Sequence, residues 1–271
     1  MDDYVSYDAC YGPLIPSMTS HPSRFILGVR VDATSYIDAC QRVIAWAQQG
    51  ESRTVCAANV HMVMEAYDDH AFREMVNTAD LVTSDGMPLV WMLRRLGYPH
   101  QTRVYGPDLM LHVLRAAAQQ DLSVGFYGSS PDVLQALITK IGERFPGLRV
   151  VYAYSPPYLP LRPEEDQSVV KEINSTGPQI LFVGLGCPKQ ERWMAEHQGK
   201  LRSVMLGVGA AFDFHAGKIH QAPGWMQALG LEWLFRLGKE PKRLWRRYLT
   251  FNPRFLVLAI MQLSGLRTFD A

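Results

Sequence analysis

The sequence predicts an α/β fold: a mostly parallel sheet covered by helices on both faces, plus a basic helical C-terminal appendage. Three observations predict it. Strand-like and helix-like segments alternate from residue 24 to about 223, the pattern of βαβ units. Strand candidates such as "QILFVGLG" at 179–186 are apolar without alternation, as strands covered on both faces are. After about Gly224 the composition shifts, and bulky apolar residues interleave with arginine and lysine.

Residues 1–23 are rich in Tyr, Ser and Pro without a period, and read as an irregular arm. "RFILGVRVD" (24–32) reads as a strand. "SYIDACQRVIAWAQQG" (35–50) reads as a helix capped by Ser35 or Thr34 and stopped by Gly50. "RTVCAANV" (53–60) is a strand and "HMVMEAYDDHAFREMVNTA" (61–79) mostly helix. "DLVTSDG" (80–86) is a short strand and turn, "PDLMLHVLRAAAQQ" (107–120) a helix, and "LSVGFYG" (122–128) an apolar strand. "SSPDVLQALITKIGERFPG" (129–147) opens with Ser130 as N-cap and Pro131 at the first helical position, and stops at Pro146-Gly147. Strand "LRVVYAY" (148–154), a proline-rich loop and helix "EEDQSVVKEINSTG" (164–177) follow. "QILFVGLG" is then a strand, "PKQERWMAEHQGK" (188–200) a helix and "SVMLGVGAAFDF" (203–214) a strand. The organisation predicted is an irregular arm at 1–23, an α/β domain at 24–223 and a basic amphipathic appendage at 224–271.

Composition narrows the function. Hydrophobic residues make up 48% and charged residues 20% of the 271 residues, so a folded core is expected. The net charge of +1 argues against nucleic acid as a partner held by bulk charge. Cys10, Cys40, Cys56 and Cys187 show no C-x-x-C or metal-finger spacing, which points to free thiols in a reducing compartment. The N-terminus lacks the apolar stretch of a secretory signal. The longest apolar run, "FLVLAIMQLSGL", falls short of the ~18 to 20 residues that span a bilayer.

In such doubly wound, Rossmann-like sheets, ligands bind outside the carboxyl ends of the strands. The strand ends here carry Asn59, Asp85, Gly128-Ser129, Gly186-Cys187-Pro188 and Gly209. Asp85, in "DLVTSDGMPLVW", is either turn chemistry, which Asp-Gly favours, or a carboxylate aimed into the crevice as a general base. Arg103 in "RVYGPD" suits a phosphate or Asp85 itself, or is simply solvated. Gly128 and Ser129 open a helix whose free N–H groups favour phosphate, although ordinary capping explains them equally well. In "GLGCPKQERW", Gly186 leaves room for a ligand. Lys189, Gln190 and Glu191 crowd the following first turn, where only the glutamate has a helix-dipole reason to be. Asp213 follows a glycine-rich strand end, where a carboxylate can accept from ribose or uracil. His61, His215 and His220 lack metal spacing, and no H-E-x-x-H or Asp-x-Asp pair occurs, so no metal or cofactor is expected. From Arg236 to Arg267 lie eight basic residues, with Trp233, Phe235, Trp245 and Tyr248 among or beside them. The segment reads as a packed, solvated hairpin or, more sharply, as a membrane-surface element whose cations meet anionic lipid.

Taken together, "NVHMVMEA", "ADLVTSDGMPLVW", "RVYGPDL", "GFYGSSPDVLQAL", "FPGLRV", "LFVGLGCPKQERW", "GVGAAFDFHAGK" and "APGWMQALGLEWLFRLGKEPKRLWRRYL" resemble the WecG/TagA/CpsF glycosyltransferases (glycosyltransferase family 26) over roughly residues 25 to 250. The resemblance implies an inverting enzyme that moves a hexose-type sugar from a UDP-sugar to a polyprenyl-diphosphate-linked sugar. The β-linked product would serve surface polysaccharide or wall polymer synthesis. It implies Asp85 as the base, Arg103 as pyrophosphate partner, and Asn59 and Gln190 near the sugar nucleotide or acceptor. The tail residues Arg236, Arg243, Arg246 and Arg247 are candidates for the diphosphate or the membrane. Where the family often has Thr, this chain has Ala57, so the donor stays open among N-acetylmannosamine, its uronic acid and glucose. A cytoplasmic enzyme, peripheral on the inner face of the membrane, is expected, and homo-oligomer formation is left open. Two competing readings are a dinucleotide-dependent oxidoreductase, disfavoured because no G-x-G-x-x-G follows a strand, and a non-catalytic binder of nucleotide-sugar or lipid.

Overall fold

The computed structural model describes residues 22–158 and 161–269. The chain opens with strands β1 (Ser23–Ile26) and β2 (Val29–Asp32), then helix α1 (Tyr36–Gln48) and strand β3 (Arg53–Ala58). Helices α2 (Val60–Asp68) and α3 (His70–Asn77) lead to β4 (Leu81–Ser84), α4 (Met87–Arg95) and α5 (Gly106–Gln119). Then come β5 (Ser123–Gly128), α6 (Pro131–Arg144), β6 (Arg149–Tyr154) and α7 (Pro163–Thr176). β7 (Ile180–Gly184), α8 (Lys189–His197), β8 (Val204–Gly207) and the short α9 (Ala211–His215) complete the body. The tail holds α10 (Gly224–Ala228), α11 (Glu232–Lys239) and α12 (Pro241–Leu263).

The fold is α/β, as the alternation predicts. Six strands form one sheet in the order β4-β3-β8-β7-β5-β6, and every pairing in it is parallel. Period-2 geometry gives the inner strands two buried faces, whereas the edge strand β6 is largely exposed or half-buried. Val124, Phe126, Ile180, Phe182, Val204 and Leu206 enter one core with α1, α5 and α6. Tyr127, Leu181, Val183 and Met205 enter the other, with α2, α3, α4 and α12. That double burial is why the strands read as unbroken apolar runs.

Four local readings are corrected. "RFILGVRVD" is an antiparallel hairpin outside the main sheet. Leu27 and Gly28 turn it with φ of 51° and 86°, the two positive values of a type I′ turn. The long helix of 61–79 breaks at Asp69, which leaves helical geometry and caps α3 by accepting from the Phe72 N–H at 3.1 Å. The last strand stops at Gly207, and α9 follows the turn at Gly209 (φ 52°). A helix, α4, runs where the apolar residues resume after Asp85, opened by Pro88 in its first turn. Among the predicted caps, Ser35 does cap α1, accepting from the Asp38 N–H at 3.2 Å. The expected irregular arm lies, up to residue 21, outside the described residues.

The tail is docked on the body. Phe255 and Ala259 of α12 are buried in the second core. Gln262 donates to the Phe25 carbonyl at 2.7 Å and accepts from the Leu27 N–H at 3.1 Å, which ties α12 to the hairpin. Arg254 makes a two-pronged pair with Asp68 at 2.8 and 2.6 Å. Among the described residues no helix is long and apolar enough to cross a membrane. Cys40 and Cys56 are buried and Cys187 is half-buried.

Candidate active site

Asp85 follows the last residue of β4 and precedes Gly86, the N-cap of α4. Its N–H donates to the Ala58 carbonyl of β3 at 2.8 Å. Its carboxylate Oδ1 accepts from the Gly106 N–H, the first residue of α5, at 2.7 Å. Asn59, the N-cap of α2, packs against Gly86. Three helix N-termini therefore converge on one carboxyl group, each presenting a positive dipole end.

Two glycines lie in close contact at that convergence. A Cβ on Gly86 would lie 3.3 Å from Asn59 Cα, and one on Gly106 would lie 3.4 Å from the Asp85 carboxylate. Gly86 has φ −90°, so no left-handed turn requires it, and a side chain there would press tightly on Asn59. The Asp85 side chain reaches α5 rather than capping its own turn, which separates it from ordinary Asp-Gly chemistry. Burial pushes its pKa from 3.8 up to about 6, against the pull of Arg103, the Gly106 N–H and Asn59, while the Glu232 charge adds to the rise.

Arg103 lies beside it. Its Nε donates to the Asp85 carbonyl. Nη2 donates to Glu232 Oε2 at 2.7 Å, and Nη1 to Gln227 Oε1 at 3.3 Å. The guanidinium stacks 3.9 Å over the Tyr105 ring, and the Tyr105 hydroxyl donates to Glu232 Oε1 at 2.8 Å. The tail helices α10 and α11 thus close onto the arginine nearest the carboxylate.

A cavity of about 540 Å³ opens from this point. Asn59, Asp85, Arg103, Arg236 and Arg247 all line it. The Nε atoms of Arg236 and Arg247 are buried and have no hydrogen-bond partner. Lining the cavity as well is His61, whose pKa burial and the Arg247 charge press down to about 3, so it is neutral there.

The other predicted residues lie elsewhere. Arg243 and Arg246 are exposed on α12, with Arg243 paired to Glu240. Asp213 sits half-buried on α9, where burial raises its pKa and Arg243 and Arg236 oppose the rise. Gly128 and Ser129 end β5 tightly against β7. A Cβ on Gly128 would lie 2.6 Å from the Gly184 backbone, and the Ser129 N–H donates to the Gly184 carbonyl at 3.0 Å. Gln190 turns inward, accepting from the Gly186 N–H at 3.1 Å and donating to Glu191 at 2.8 Å. Glu191 is 2% exposed, and burial lifts its pKa to about 7. Lys189 is exposed, 4.4 Å above the Tyr158 ring.

Sequence reasoning missed Tyr105, Gln227 and Glu232. Tyr105 sits inside the quoted "RVYGPD", two positions from Arg103, and its pairing was there to be asked about. Gln227 and Glu232 sit inside the quoted "APGWMQALGLEWLFRLGKEPKRLWRRYL", but nothing around them pointed to Arg103. Among the described residues no group of three His, Cys, Asp or Glu could hold a metal ion.

The chain is 27% identical over 242 residues to the N-acetylglucosaminyldiphosphoundecaprenol N-acetyl-β-D-mannosaminyltransferase of Bacillus subtilis (strain 168), covering 89% of this chain and 91% of that one. It is 31% identical over 224 residues to the protein of the same name in Staphylococcus aureus (strain MW2), covering 82% and 86%. The model of the glycosyl transferase WecG/TagA/CpsF family matches residues 24–268. A buried carboxylate at converging helix ends, arginines around one cavity and a match over nearly the whole chain lead to one conclusion: the chain belongs to the WecG/TagA/CpsF family of glycosyltransferases.

Proposed function

We propose that this chain transfers an N-acetylmannosamine-type sugar, with inversion, from a UDP-sugar to an N-acetylglucosamine carried on a polyprenyl diphosphate. The observation that carries the reading is Asp85, a carboxylate buried at three helix ends yet lining an open cavity. In the step proposed, Asp85 takes the proton of an acceptor hydroxyl. That oxygen bonds to the anomeric carbon as the bond to the UDP oxygen breaks on the opposite face. One base suffices, because inversion forms no covalent intermediate. Arg103, Arg236 and Arg247 offer fixed positive charge to the departing diphosphate, where preorganised charge acts most strongly. The relatives' names supply the sugar and acceptor classes.

The test is a panel of UDP-sugars offered with a lipid-diphosphate N-acetylglucosamine acceptor, read by mass spectrometry. One added N-acetylhexosamine is expected. Binding of UDP-sugar without any product would make the chain a non-catalytic binder and end this reading. With the Asp85 pKa at about 6, the base is present above that pH and lost below it. The pH profile of kcat/KM should therefore fall on its acid side with an apparent pKa near 6. A flat profile down to pH 5 would remove Asp85 from the rate. Turnover is also expected to persist in excess EDTA, because arginines and helix ends, not a divalent ion, meet the diphosphate. Loss of turnover restored by Mg²⁺ or Mn²⁺ would contradict this.

A further inference from the structure

We infer that the groove between α4 and α12 receives the prenyl chain of the acceptor. This rests on the proposed function. The cavity at Asp85 is lined by residues of both helices as well as by the arginines. Its α4 wall includes Met87 and Trp91, and its α12 wall Phe255, Ala259, Ile260 and Leu263. Phe255, Ala259 and Leu263 repeat at four-residue spacing, which places them in one row along the helix. From Arg247 to Leu263 that helix rises about 24 Å.

The order of chemistry along the space fits one occupant. Asp85 and Asn59 stand at the starts of α4 and α2, with Arg103 beside them, where a sugar hydroxyl would react. Arg236 and Arg247 follow, each with a buried Nε that no protein atom satisfies. Along α12 the apolar Phe255, Ala259 and Leu263 come after Arg247, and along α4 Met87 and Trp91 come after Asp85, with Arg95 one turn further on. A sugar, a diphosphate and a hydrocarbon chain present the same sequence of polar, anionic and apolar groups. Trp91, Leu256, Ile260 and Leu263 line it and are exposed large apolar side chains. A chain could therefore slide in sideways from a bilayer while its diphosphate is held by the cations.

A benzophenone-tagged geranylgeranyl diphosphate, in solution without vesicles or sugar, tests the site directly. Photolabelled peptides should map to α4 and α12, and Ile260→Asp, on the exposed wall, should cut the labelling about tenfold or more. Trp91→Ala, on the other wall, should weaken it as well, and melting curves check that both variants fold. In turnover, kcat/KM of the wild type should rise about tenfold or more from a ten-carbon to a twenty-carbon prenyl acceptor, and Ile260→Asp should flatten that ratio. Labelling elsewhere, or variants that label like wild type, would overturn the inference. So would variants that only lose vesicle binding, which would make the face a bilayer contact, or only change oligomeric state, which would make it a contact between copies. Labelling at α4 and α12 without product from any UDP-sugar would leave the groove standing and remove the proposed function. Product without chain-length dependence would do the reverse.

Discussion

Replacing Asp85 by asparagine should lower turnover by about 10²-fold or more and raise the melting temperature at pH 7 to 8. The first effect is the loss of a positioned base. The second follows from burial. A carboxyl whose pKa stands at about 6 in the fold and 3.8 outside it binds more protons folded than unfolded between those values. Stability then falls as pH rises through that window, and above it the full penalty of the buried charge applies. That penalty corresponds to roughly 3 kcal/mol on the ionised form. Asparagine removes the charge, and its carbonyl oxygen can still accept from the Gly106 N–H. Its amide needs partners of its own, which offsets part of the gain. A net rise of about 2 to 5 °C is expected by calorimetry. Arg103 keeps Glu232 at 2.7 Å, so it is not orphaned. UDP affinity should stay within about threefold, since the substitution leaves the cations in place. A variant that is slower and less stable would mean that Asp85 supports the fold and that the lost activity is only misfolding.

The contrast between activity and stability also shows what a sequence can reveal. The parallel sheet was legible because double burial leaves strands such as Ile180–Gly184 no polar positions. Asp85 was legible because a carboxylate interrupts apolar sequence there. The hairpin at Leu27-Gly28 was not, because a leucine at positive φ carries no turn signature. The helix Met87–Arg95 was hidden by its Gly-Met-Pro opening. The closure of the tail onto Arg103 was least legible. Gln227 and Glu232 lie 124 and 129 residues from it in the chain, and only tertiary packing brings them together. Read locally, Glu232 is one more acid at the start of a helix.

The basic face of α12 should govern access to lipid-linked substrate. Reversing Arg243, Arg246 and Arg247 to glutamate together should cut affinity for anionic vesicles by about 10²-fold or more, since each basic residue near such a surface contributes ~1 kcal/mol. Sedimentation with vesicles checks this. Reversal is a cleaner test than truncation at Gly224, which would strip Phe255 and Ala259 from the second core. Arg243 and Arg246 are exposed, so their replacement leaves packing intact, and losing the surface pair with Glu240 matters little. The three positions also separate two roles. Arg247 lines the cavity with an unsatisfied Nε, whereas Arg243 and Arg246 do not reach it. The double reversal at 243 and 246 should therefore weaken vesicle binding while sparing most turnover of a short-chain acceptor free in solution. Arg247→Glu alone should lower turnover of both soluble and vesicle-borne acceptor, because it places a carboxylate in the cavity where the proposed function puts the departing diphosphate. High salt should release the wild-type protein from vesicles, as screening shortens from about 10 Å at 0.1 M to about 3 Å at 1 M. A triple variant that sediments and turns over like wild type would reduce the arginines to a solvated face.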